Sequence, residues 1–137
     1  MSETEAGSPR DRADVELRLP ADGAYVSVLR TLTAGLAARL DFTIDDVEDL
    51  RIAVGEACAL VLDEARAGSD LDCEFHLGTG LLTVRVGVEA AGPREPDYDS
   101  FAWQVLTTLA SEATLDTEGG RFAVTLTMRS GTLGTVV

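Results

Sequence analysis

The chain has no lysine: its 11 basic residues are all arginine, set against 24 aspartates and glutamates, for a net charge of −13. Gripping nucleic-acid phosphates needs local positive charge, so this balance argues against a nucleic-acid surface. It fits a basic protein partner, or a demand for solubility alone. Cysteine is scarce too. Cys58 and Cys73 lack metal-ligand spacing and stand among apolar neighbours, which reads as two small core residues in a reducing compartment. The single histidine, His76, lies on the polar side of an alternating stretch with no Cys, His or Ser constellation around it, and is assigned no chemistry. No apolar run approaches membrane-spanning length. Residues 1–10 are polar and acidic and offer no signal-peptide core, so the expectation is a soluble cytoplasmic protein. No internal repeat is visible.

What is present is one domain's worth of apolar pattern: 137 residues, 45% hydrophobic, enough to bury a real core. Residues 1–13 carry Gly, Ser, Pro and charge without a period and are expected to be a disordered leader. Residues 14–130 form the domain, and the uncharged segment 131–137 is expected to be a flexible tail, with fraying from Ser130 onward. Val15, Leu17 and Leu19 alternate with acidic and basic residues, the mark of a strand with one buried face. Residues 24–40 repeat apolar side chains at three- and four-residue spacing, with Asp22 a candidate N-cap. A second strand carries Cys73, Phe75 and Leu77. Gly78-Thr79-Gly80 turns it into a partner bearing Leu82, Val84, Val86 and Val88.

A third helix is expected over residues 100–111, with Phe101, Val105 and Leu109 on one face and Trp103, Leu106 and Ala110 adjoining. A short strand at 113–116 and a strong one at 122–128 complete the order.

The centre of this arrangement is a helix over residues 45–65, with Thr43 as its cap. At about 100° per residue, Val47, Leu50, Val54, Ala57, Cys58 and Val61 gather into an apolar arc. Asp49, Glu56 and Asp63 form an acidic stripe on the far side, with Ile52 and Leu60 beside Glu56. Asp45 and Asp46 suit the positive end of the helix dipole. The stripe reads either as a solvated face or as one wall of a ligand pocket. Strand, two helices, two strands, helix, two strands is the order of a two-layer α+β sandwich: a mainly antiparallel sheet with three helices on one face. A ferredoxin-like split βαβ does not accommodate two long helices in succession.

The run Asp49-Leu50-Arg51-Ile52-Ala53-Val54-Gly55-Glu56-Ala57-Cys58 resembles the N-box helix of GHKL-type (histidine kinase-like) ATP-binding domains. The closer similarity is to the RsbW class of anti-sigma factors and serine kinases, in its actinobacterial branch. Residues 100–110 resemble that branch's segment after the nucleotide lid, and residues 122–128 its final strand. The resemblance covers roughly residues 14–130.

It implies a cytoplasmic regulator of partner switching in a stress response. Such a protein sequesters an alternative sigma factor and is released by an anti-anti-sigma protein of STAS type. In the family, Glu56's counterpart is the general base toward a partner serine, and an Asn at the position of Leu60 helps hold magnesium on ATP. An aliphatic side chain there cannot coordinate a hard cation that demands oxygen ligands. The family's adenine-reading Asp falls on Val86, with Glu89 displaced, and its phosphate-binding glycine segment is replaced by Asp97-Tyr98-Asp99-Ser100-Phe101, where acidic groups repel a triphosphate. Only Glu56 survives. The expectation is therefore a binding module without ATP or magnesium. The alternative is an active Mg-ATP serine protein kinase with Glu56 catalytic. Arg30 stands in the register of the family's first-helix arginine, and its planar fork suits carboxylates on a partner. The resemblance also implies homodimers through the sheet side.

Overall fold

The computed structural model describes residues 12–92 and 95–131. Among the described residues five strands and three α-helices follow in the order β1 (Val15–Pro20), α1 (Val26–Arg39), α2 (Ile44–Leu62), β2 (Asp70–Gly78), β3 (Leu81–Glu89), α3 (Phe101–Leu109), β4 (Glu112–Asp116) and β5 (Arg121–Arg129). The strands form one sheet in the order β1-β2-β3-β5-β4, every neighbouring pair antiparallel. This is the α+β two-layer sandwich that the apolar pattern predicts. The expected leader falls outside the described residues except for Arg12 and Ala13. The tail falls outside them after Gly131.

Register puts one residue set on one face. Phe75 pairs with Val84, Val84 with Leu126 and Leu126 with Ala113, so alternate residues of four strands point the same way. Phe75, Val84, Val86, Val124 and Leu126 are fully buried there beneath Leu50, Val54, Ala57, Cys58 and Val61 of α2. The arc read from the α2 sequence is the packed face, with Ala53 added to it and Val47 at its half-buried edge. α2 lies in the middle of the helical layer and touches both α1 and α3. The opposite face of the sheet is polar. Asp72 accepts from Arg18 Nε at 2.9 Å and from Arg121 Nη2 at 3.1 Å, and Arg85 reaches Asp116 at 3.4 Å.

Helix ends follow local chemistry. Thr43 caps α2 by accepting from Asp46 N–H at 3.1 Å, and Ser100 caps α3 by accepting from Trp103 N–H at 3.1 Å. Asp22 caps a short 3₁₀ turn, Gly23–Tyr25, rather than the α-helix itself. α2 stops at Leu62, not at Ala65. Ala65 instead makes an isolated bridge to Ala90, which needs an extended backbone. Fraying does not begin at Ser130. That residue is buried, its N–H donates to the Gly80 carbonyl at 2.9 Å, and Gly131 N–H donates to Asp46 at 2.7 Å.

Candidate functional site

α2 presents its two flanks to different neighbours. On one flank Arg30 of α1 lies across Gly55: a Cβ built there would stand 3.8 Å from Arg30 Cδ and 4.0 Å from Nε. Glycine in mid-helix costs conformational entropy, and here its bare backbone gives the arginine stem a seat. The Nε of Arg30 is out of contact with water and has no hydrogen-bond acceptor among the described residues. Cys58 lies close enough below to feel that charge. Burial nevertheless pushes the Cys58 thiol up to about 12, against the weaker opposing pull of Arg30.

Another flank carries Asp49, Glu56 and Leu60. At helical spacing these fall within one narrow arc, and all three are half-buried. Gly55, on which Arg30 rests, and Glu56 are successive residues about 100° apart around α2, and no hydrogen bond or ion pair joins Arg30 to Glu56 among the described residues. Leu60 stands one turn beyond Glu56, where the resemblance would require a metal-holding amide. No other residue takes over that task in kind. The chain contains no asparagine at all, and its one side-chain amide, Gln104, donates to the Asp99 carbonyl at 3.4 Å. Among the described residues no three His, Cys, Asp or Glu side chains gather as a metal would need. Leu60 itself offers no oxygen donor to a hard cation such as magnesium.

The strand that should deliver the adenine-reading acid runs further than Val86. β3 continues to Glu89, and Val86 is sealed in the core with no exposed surface. The acid at the strand's end is Glu89, paired with Arg66 at 3.5 Å. The alternation of Leu82, Val84, Val86 and Val88 already carries this boundary, because an apolar residue at 88 requires one more strand position before the chain can leave the sheet. Glu89 borders a cleft of about 850 Å³ with Arg66, Ala91, Thr117, Arg121 and Phe122. No residue of α2 lines it, so Glu56 and this cleft are separate features.

The lead into α3 also differs from a phosphate cradle. Asp97 accepts from Asp99 N–H at 3.0 Å in a side-chain-closed turn, and Tyr98 meets Trp103 edge-on at 5.3 Å. Phe101 does not join the packed face expected of it: it is 78% exposed, and Leu106 and Ala110 are buried instead. The reason is position. Phe101 follows directly on the cap, and the buried arc centres on Leu106, so the first side chain of the helix projects off its end.

No family model matches the chain. Individual relatives do. A serine-protein kinase RsbW of Halalkalibacterium halodurans is 44% identical over 73 residues, covering 53% of this chain and 45% of that one. The RsbW of Bacillus velezensis is 43% identical over 74 residues, 54% of this chain and 41% of that protein. The RsbW of Bacillus subtilis is 34% identical over 93 residues, 67% of this chain and 55% of its own length. This chain is related to the RsbW class. It spans about half the length of the curated relatives it matches.

Proposed function

We propose that this chain is a cytoplasmic RsbW-type anti-sigma factor that sequesters an alternative sigma factor, yields it to a STAS-type anti-anti-sigma partner, and does so without ATP. One observation carries the ATP-free reading: Leu60 lies on the same flank as Glu56, one turn on, in a chain with no asparagine to replace it. Phosphoryl transfer rests on positioning and on neutralising phosphate charge with metal and cationic groups. Asp97 and Asp99 add charge of the wrong sign at the head of α3.

Partner binding is supported by Arg30. Its Nε is sealed, but Arg30 as a whole is only half-buried, and the remaining guanidinium donors lie in a fixed plane that suits a partner carboxylate. Self-association through the open sheet face belongs to the same proposal, with the Arg18–Asp72–Arg121 chain at its centre.

The second reading, a serine protein kinase acting on the anti-anti-sigma protein, is favoured by two facts: a glutamate, Glu56, is present and half-buried on α2, and the relatives are serine-protein kinases by name. The two are separated by incubating the chain with Mg-ATP and the candidate STAS protein. The expected result is a complex with the sigma factor and no phosphoserine. Phosphoserine that disappears in Glu56→Gln would establish the kinase instead.

A further inference from the structure

The head of α3 leaves apolar and acidic groups unpartnered side by side. Phe101 is 78% exposed and Tyr98 53% exposed, three residues apart on one turn. Neither the Glu95 nor the Asp99 carboxylate has a hydrogen bond or ion pair among the described residues, and both residues are exposed. The turn is held in shape rather than loose. Asp97 closes it onto Asp99 N–H, Ser100 caps the helix, Gln104 reaches back to the Asp99 carbonyl, and the Tyr98 ring rests edge-on against Trp103. A fixed turn that presents two aromatic rings to water is prepared for contact, because the ordering has been done before any partner arrives. Large exposed aromatics are also the side chains that most often anchor protein interfaces.

We propose that residues 95–101 form a docking surface for an arginine-bearing amphipathic segment of a protein partner. The choice of occupant follows from charge and ring chemistry together. Glu95, Asp97 and Asp99 place three carboxylates within five residues, on a chain of net charge −13, so an acidic or phosphorylated segment would be repelled. A guanidinium matches the carboxylates by paired hydrogen bonds and also stacks on the faces of Tyr98 and Phe101. An apolar residue of the same segment covers Phe101. A bare polycation would use the charge and leave the rings wet, so an amphipathic segment is the better match. This surface lies on α3, apart from Arg30 on α1. It deepens the reading of the chain as a protein-binding module and rests on it.

The test uses the full chain and a synthetic amphipathic helix of leucine and arginine carrying a fluorophore. Binding is followed by anisotropy and by the emission of Trp103, the only tryptophan in the chain. The unmodified chain should bind with a clear change in Trp103 emission. Phe101→Ala should weaken binding about tenfold or more, as loss of an aromatic anchor does. Glu95→Gln with Asp99→Asn should weaken it several-fold, about the effect of rim charges, and flatten its salt dependence. Phe101 is exposed, so matching thermal melts are expected for the variant and the parent chain.

Three results would overturn the proposal: unchanged affinity in Phe101→Ala, equal binding of oligoarginine without leucine, or a self-associated state in sedimentation that Phe101→Ala abolishes. Separate failures remain distinguishable. Mg-ATP binding alongside Phe101-dependent peptide binding would remove the ATP-free function and leave this surface standing.

Discussion

Arg30 is the residue at which packing and function meet most closely. Its stem rests on Gly55, its Nε is sealed from water, and nothing among the described residues accepts that nitrogen's hydrogen. Such a group costs about 1–3 kcal/mol, and because Nε is sealed, a partner carboxylate would meet the rest of the half-buried Arg30 side chain. Arg30→Glu is therefore expected to weaken sigma-factor binding by a few kcal/mol, about a hundredfold or more in affinity, while the domain stays folded. Surface plasmon resonance at several salt concentrations checks this, and unchanged affinity throughout would remove Arg30 from the interface.

Gly55 gives a quieter expectation. A methyl there meets only ordinary contact distances, so Gly55→Ala should raise helix stability by about 0.5–1 kcal/mol. A larger side chain would push Arg30 off its seat. The cysteines give a pH signature. Burial raises both thiols from an ordinary 9.0 to about 12, with Cys58 and Asp72 adding to the rise at Cys73. Between those limits the unfolded chain has lost thiol protons that the native state retains, so stability falls as pH rises above about 9. The urea midpoint should drop there more steeply in the parent chain than in the Cys58→Ala/Cys73→Ala variant. Parallel curves would mean that the thiols are not held in the core.

At the scale of elements, α2 does the organising. Its cap, its acidic first turn and its apolar arc were all legible in the sequence, because each depends on neighbours within a turn or two. Thr43→Ala should cost about 1 kcal/mol through loss of the bond to Asp46 N–H. Leu126→Ala should cost about 2–5 kcal/mol, since Leu126 is fully buried in β5 within the cluster that includes Val54 of α2. A loss below about half a kcal/mol in urea unfolding would mean that the two layers pack elsewhere.

What the sequence did not yield were properties decided by distant contacts. The alternation carries β3 to Val88, but that Glu89 still belongs to it is decided by β5, where Val88 pairs with Phe122 and Glu89 with Arg121. Phe101 looks like a core residue by type and is exposed by its place at a helix end. The seating of Arg30 on Gly55 needs two helices to meet, and no spacing within either one announces it. For the candidate site, Glu56 and Leu60 could be read in advance as neighbours on α2, whereas the separation of Glu56 from the cleft beside Glu89 emerges only from the fold.

At the scale of the whole molecule, the net charge of −13 sets which partners approach quickly. Association with a basic partner should slow as salt rises, whereas contacts buried after docking should be less affected. On the proposed function the same field disfavours a free nucleotide, and the acids at 97 and 99 before α3 add to it. The central claim is that this domain works by holding proteins and not by spending ATP. Isothermal calorimetry with millimolar Mg-ATP tests it most directly. The account expects no heat of binding in the parent chain and none in Glu56→Gln. A saturable micromolar isotherm in the parent chain would contradict it.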